Sequence, residues 1–290
     1  MENEQEFIKN YNIKKYEQPS AAADIALFTV KNVPMGNYRK LDEKKLCLLM
    51  IKRLKPPFAD HYALPGGFAK KNETVDDTAL RELFEETAVE NIQLYQLKTT
   101  STPNRDPRGW IISCGYLALA DSSLLTPKGG DDAAEAVWFN VTKTDTNTVF
   151  SNKEKITSYK LNLSYEDNIK LSADITERLS FGDCGRKLSI TADNSCGIAF
   201  DHAEIIAYAL NELKRKTIYE GAAFSLLPEM FTVADLKSVY ETITGTEDTN
   251  ANFRRKINRF ILPTEHTSSG AGHRPSKLFK KNYDELLDLS

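Results

Sequence analysis

Three short apolar blocks mark the first half of the chain: ADIALFTV at residues 23–30, KLCLLMIK at 45–52 and IISCGYLALA at 111–120. Each is bounded by turn-forming residues and is too short for a core helix, which predicts buried strands. Between the second and third blocks the period changes. Val75, Ala79, Leu80, Leu83 and Phe84 recur at helical intervals, and Thr74 stands three residues before Asp77, the spacing of a reciprocal N-terminal cap. A helix is therefore expected from residue 74, its apolar stripe turned to a core. Residues 142–196 are rich in Thr, Ser, Asn and Asp and alternate with period two, as in YKLNL at 159–163. Half-exposed strands in hairpins that extend the first unit are the expectation there.

Helical spacing returns after residue 200, where Ile205, Ile206, Ala209, Leu210 and Leu213 form a stripe. Thr232 and Asp235 repeat the cap spacing ahead of Leu236, Val239, Tyr240 and Ile243, and Gly245 ends that segment. A short turn leads to the basic stretch TNANFRRKINRFIL, and PTEHTSSGAGHRPSKLFKK places a Gly-rich tip between two strand-like ends. Helix, turn, basic helix and basic hairpin together predict a winged helix-turn-helix. The organisation expected is a polar, flexible tail at 1–18, an α/β domain at 19–200 carrying a β-rich insertion at 142–197, and the winged domain at 201–290.

The length of 290 residues, with 41% hydrophobic and 27% charged residues, suits two ordinary globular domains. There is no apolar run of 18 residues and the N-terminus is polar, so a cytoplasmic protein with no membrane contact is expected. The four cysteines lack metal-site spacing, and we read them as reduced thiols. Charge changes the picture more. Residues 249–281 hold eight Lys or Arg against one acid, Glu265, so a net charge of −3 conceals +7 there and −10 elsewhere. One end of the chain is built to meet a polyanion.

The chemistry concentrates in GGFAKKNETVDDTALRELFEETAV, residues 66–89. Glu82, Glu85 and Glu86 fall three and four residues apart on neighbouring helical faces, where like charges repel. A hard divalent cation, which prefers oxygen ligands, converts that repulsion into binding. A solvated acidic face is the plainer explanation, but the spacing G-x5-E-x7-R-E-L-x-E-E-x-A-V, from Gly67 and Glu73 through Arg81 to Val89, resembles the Nudix box. That family hydrolyses nucleoside diphosphates linked to a further group, on an α/β/α sandwich with a mixed sheet. The resemblance implies that Glu82, Glu86 and Glu85, with the Gly66 carbonyl, ligate Mg²⁺ or Mn²⁺, and that Glu73 and Arg81 brace the loop against the helix. It departs from the pattern at Ala88, where a Gly is usual near the helix end. A non-Gly residue in the left-handed conformation costs about 1–2 kcal/mol, so either Ala88 bears that strain or the helix ends differently.

Downstream, STPNRDPRGW offers Arg105 and Arg108 as bidentate clamps for phosphate or carboxylate. Arg53 is a further substrate-binding candidate. Pro103, 15 positions after Ala88, resembles the mark of the ADP-ribose-cleaving branch of the family. Asp132 or Glu135 is the candidate for positioning the attacking water, as a carboxylate of this later loop does in similar proteins. The C-terminal string is similar to that of Nudix-related transcriptional regulators, which implies duplex DNA as a partner. Asn250, Asn252, Arg254 and Arg255 are the candidate contacts on the second helix, with Arg274 and Lys277 on the wing. Two functions follow: hydrolysis of ADP-ribose or a related nucleoside diphosphate sugar, or ligand-sensing regulation by a homodimer on a palindromic site.

Overall fold

The computed structural model describes residues 3–33, 43–122, 133–166, 168–268 and 275–289. Asp132, Arg274, most of the loop expected after the first strand and the tip of the wing lie outside the described residues. At the N-terminus, α1 (Glu4–Asn10) is capped by Asn3 and buries no residue.

A ten-stranded mixed sheet forms the frame. Its strands are β1 (Ser20–Val33), β2 (Glu43–Arg53), β3 (Tyr62–Ala63), β4 (Gly66–Phe68), β5 (Leu94–Thr100), β6 (Ile111–Leu119), β7 (Ala133–Ser151), β8 (Glu154–Tyr165), β9 (Ile169–Gly182) and β10 (Gly185–Cys196). The order is β10-β9-β8-β7-β2-β1-β6-β5, with β3 beside β2 and β4 beside β1. β1 and β6 run parallel and the other pairs antiparallel. β1 is apolar almost throughout because both of its faces are covered. Ala23, Ile25 and Leu27 face α2 (Val75–Thr87), with Ala79 and Leu83, while Ala26 and Phe28 face α3 (His202–Tyr219), with Ile205 and Leu213. The result is the expected α/β/α sandwich.

β7 explains the insertion. It begins as a sandwich strand with Val137, Trp138 and Phe139 buried, then continues past residue 142 as the base of the meander β7 to β10. Alternation survives there because α3 covers one face only: Leu161, Leu163, Ala173 and Ile175 are buried beneath it.

Helix α2 has the expected cap, with the Asp77 N–H donating to Thr74 Oγ1 and the Thr74 N–H donating to Asp77 Oδ2, both at 3.0 Å. Its stripe is narrower than the periodicity suggested. Ala79 and Leu83, one turn apart, are buried together with Thr78 and Thr87, whereas Leu80 and Phe84 are exposed, because the sheet covers only one face of the helix. Ala88 ends the helix at φ 57° and ψ 22°, its N–H donating to the Phe84 carbonyl. The missing Gly is thus replaced by strain. Ala88→Gly is expected to raise unfolding stability by about 1 kcal/mol, read as an upward shift of Tm.

The second unit comprises β11 (Met230–Phe231), α4 (Val233–Thr244), α5 (Asn250–Ile257), β12 (Ile261–Thr267), β13 (Lys277–Lys281) and the short α6 (Tyr283–Leu287). Its three strands pair in the order β11-β13-β12, the wing of a winged helix. Thr232 and Asp235 cap α4 reciprocally, Gly245 ends it at φ 68°, and Thr249 caps α5. Helix α3 belongs to both units: its apolar face continues from the sheet to Leu236 and Val239 of α4 in one core. None of the described helices is long and apolar enough to cross a membrane.

Candidate functional site

Two glycines let the backbone come close. A Cβ on Gly66 would stand 2.1 Å from the Ala23 carbonyl oxygen, and one on Gly67 would stand 2.5 Å from the Glu82 carboxyl group. Gly66 therefore seats the loop on β1, and Gly67 presses it onto the helix carboxylate. Arg81 fastens the other side. Its guanidinium donates to both Glu73 oxygens at 2.7 and 3.0 Å, to Glu82 at 2.6 Å, to Glu85 at 3.1 Å and to the Phe68 carbonyl at 3.1 Å. That fork holds the Glu73 carboxyl down at about 2.

Glu86 differs from its neighbours. It accepts a hydrogen bond from the Gly66 N–H at 3.0 Å and lines a cleft of about 320 Å³. Burial pushes its carboxyl up to about 8; the Gly66 N–H and Arg53 oppose this, while Glu82 and Asp24 reinforce it. Among the described residues no three acidic, His or Cys side chains converge as a ready metal cage, since Arg81 holds Glu82 and Glu85. The donor chemistry nevertheless fits a hard cation. A buried carboxylate destabilised by a second carboxylate one turn away lacks the positive charge that such an ion supplies.

The opposite wall is cationic and aromatic. Arg53 lies 4.9 Å from the Phe200 ring, and Arg108 lies 4.8 Å from Phe68 and 5.3 Å from Phe200. Burial, with the neighbouring Arg108, lowers the Arg53 pKa, so the two guanidiniums repel one another on the same wall. Asp106 and Glu86 oppose that lowering. Arg108 is also engaged by Asp106, and Arg105 grips Asp201 at 2.6 and 2.8 Å. The bidentate capacity read from the sequence is thus used on carboxylates of the chain itself. Pro103 is exposed and off the cleft, as is Glu135, whose charge bears on Tyr62 and Tyr165.

Asp24 and His202 were not anticipated. Asp24 is buried, accepts from the Ser113 hydroxyl, and lies 3.5 Å from Arg105 and 3.4 Å from His202 Nε2. Burial would raise its carboxyl, but His202, Ser113 and Arg105 outweigh this and hold it at about 2. The Leu64 N–H donates to His202 Nδ1 at 2.8 Å, which leaves Nε2 to carry the proton facing Asp24. A charged residue inside ADIALFTV was the available signal, because a buried acid requires partners.

On the winged unit, Asn250, Asn252, Arg255 and Lys277 are exposed. Arg255 donates to Asn252 Oδ1 at 2.6 Å, so the two present their polar atoms together. Arg254 is half-buried, with its guanidinium 4.5 Å from the Phe279 ring, and braces α5 against the wing.

Two family profiles match the chain: the NUDIX domain over residues 35–159 and the NrtR DNA-binding winged helix domain over residues 223–280. The ADP-ribose pyrophosphatase of Methanocaldococcus jannaschii is 36% identical over 137 residues, which cover 46% of this chain and 71% of that protein. The chain belongs to the Nudix family. Its resemblance to the ADPR responsive transcriptional repressor NtrR of Acinetobacter baylyi, 26% identical over 288 residues, spans 97% of this chain and 91% of the relative. The crystal structure of a MutT/nudix family protein from Enterococcus faecalis has a TM-score of 0.67 at 27% identity, covering 97% of this chain and 94% of that one. The Nudix fold, with its helix carboxylates and double glycine, is therefore joined here to an NrtR-type winged helix.

Proposed function

We propose that this Nudix protein cleaves the pyrophosphate of ADP-ribose or a closely related nucleoside diphosphate sugar, and that its winged helix binds duplex DNA under control of the same ligand. The carrying observation is that the carboxylates, arginine and double glycine of the box are all present and assembled: Gly67 against Glu82, Arg81 across Glu73, Glu82 and Glu85, and a buried Glu86. The Methanocaldococcus relative, an ADP-ribose pyrophosphatase, and the Acinetobacter relative, an ADPR responsive repressor, support the choice of ligand.

Glu82 and Glu86, with the Gly66 carbonyl, would hold Mg²⁺ or Mn²⁺, which offsets phosphate charge and acidifies a bound water. The chain's own groups do the rest. Arg53 and Arg108 approach the cleft from the other wall and bind the diphosphate, whose charge relieves their mutual repulsion. Arg81 keeps Glu82 in register with Gly67, and Phe68 and Phe200 lie against the guanidiniums of Arg53 and Arg108 and orient them. AMP release from ADP-ribose with Mg²⁺, measured against a panel of other nucleoside diphosphate derivatives, tests this reading. Absence of turnover with every compound would leave ligand sensing alone.

For the winged unit, Asn250, Asn252 and Arg255 contact bases or phosphates in the major groove, and Lys277 and Arg274 contact the backbone, in a homodimer on a palindromic site. The basic segment makes this binding electrostatic, so its affinity is expected to fall about a thousandfold between 50 and 200 mM salt. A gel-shift titration with the protein's own upstream region checks this. Binding no tighter than to random duplex would defeat the specific-regulator reading.

A further inference from the structure

Three consecutive residues, Phe200, Asp201 and His202, form the start of α3; Phe200 and His202 line the cleft, and Asp201 lines a second pocket that shares Phe200 and Arg105 with it. Phe200 is held at φ 53°, a left-handed conformation unfavourable for a bulky residue. Asp201 occupies the N-cap position yet makes no capping hydrogen bond, and its backbone is at φ −91° and ψ 19°, outside the extended region usual for a cap. Its carboxylate is spent on Arg105, at 2.6 and 2.8 Å. His202 is tied to the Leu64 N–H, two residues before Gly66.

Asp201 thus has two uses that exclude one another. Paired with Arg105, it leaves the helix uncapped and Phe200 strained. Released, it can turn into the extended region, cap α3 and let Phe200 leave the left-handed conformation. Arg105 decides between them, and it lines the cleft beside Arg53 and Arg108. An anion entering that cleft competes with Asp201 for the guanidinium. The other consequence lies along the helix: the apolar face of α3 packs on Leu236 and Val239 of α4, and the short turn 245–249 joins α4 to α5.

We propose that the Arg105–Asp201 pair is a latch that couples the cleft to the winged helix, opened when the diphosphate of a bound ligand draws Arg105 away and Asp201 turns to cap α3. This rests on the ligand-controlled DNA binding proposed above and assigns its coupling to named residues. A ligand shifts such a two-state element only through its different affinity for the two states, and competition for one guanidinium supplies that difference.

The test uses the full chain, a fluorescent duplex from its upstream region, and α,β-methylene ADP-ribose with Mg²⁺ as a probe that resists hydrolysis. In the wild type the probe is expected to change DNA affinity by at least about fivefold. Asp201→Asn keeps a capping side chain but loses the charge and the second acceptor oxygen that hold Arg105. In it, probe-free DNA affinity should already lie near the wild-type probe-bound value, and the response to probe should fall below about twofold. The double variant Arg105→Gln/Asp201→Asn removes both charges together and should behave likewise even where the single variant folds poorly. Hydrogen exchange in the first turn of α3 should change on probe binding in the wild type and be pre-set in both variants. Variants that respond as fully as the wild type would overturn the latch and leave the regulator standing. Loss of probe binding in Asp201→Asn, where Arg105 is free to take the diphosphate, would make Asp201 part of the ligand site, which also overturns the latch. A wild type whose DNA affinity ignores bound probe would overturn the regulator reading itself.

Discussion

Glu86→Gln is expected to lower the Mg²⁺-dependent kcat/KM for ADP-ribose by more than about a hundredfold, since changes to mere outer-shell partners of a metal already cost 10–100-fold. The fold should hardly notice. With its carboxyl pushed up to about 8, metal-free Glu86 is largely protonated at neutral pH, and Gln reproduces that neutral shape while its carbonyl still accepts from the Gly66 N–H. Tm without metal is therefore expected to be unchanged or slightly higher. Metal should separate the two proteins. An ion that binds only the native state adds about 2.7 kcal/mol at a hundred times its Kd, so Mg²⁺ should raise the wild-type Tm and leave that of the variant in place. Equal rates for the two proteins, or equal Mg²⁺-induced shifts, would remove Glu86 from the metal site.

The adjacent glycines should respond in opposite ways to the same small change. In Gly66→Ala the added methyl meets the Ala23 carbonyl oxygen at 2.1 Å, and that atom belongs to a central strand with nowhere to go. The backbone is also at φ +156°, where an L side chain is strained. A loss on the order of 3 kcal/mol of stability is expected, visible as a lower denaturant midpoint. In Gly67→Ala the methyl meets the end of the Glu82 side chain at 2.5 Å. A side chain can swing away, so Tm should be nearly retained, but Glu82 then leaves its place beside the loop and activity should fall about tenfold or more. If Gly67→Ala loses stability and keeps its rate, Glu82 is not a ligand that depends on this approach.

Much of the site was legible because its parts are local. The cap of α2 joins residues three apart, and Glu82, Glu85 and Glu86 lie within two turns, so spacing alone placed them on adjoining faces. The cap of α4, the turn before α5 and the basic charge of the segment are local in the same sense. Arg105 and Arg108 could be recognised as bidentate clamps, but their partners could not be named. Arg108 takes a carboxylate two residues away and Arg105 takes one 96 residues away. Leu80 and Phe84 looked apolar enough for a core, and the flat seating of α2 leaves them in solvent.

From sequence alone came the Nudix helix with its carboxylates, the strand blocks, the hairpin character of residues 142–196 and a basic winged unit. Each depends on residues within a few positions of one another, where hydrogen-bonding geometry and side-chain period leave little freedom. Tertiary structure alone decided the rest. The parallel pairing of β1 with β6 brings Asp24 to Ser113, and the placement of α3 on the sheet brings His202 and Asp201 to Asp24 and Arg105. Those contacts join positions between 89 and 178 residues apart, and chain topology rather than local preference determines which distant groups share a buried site.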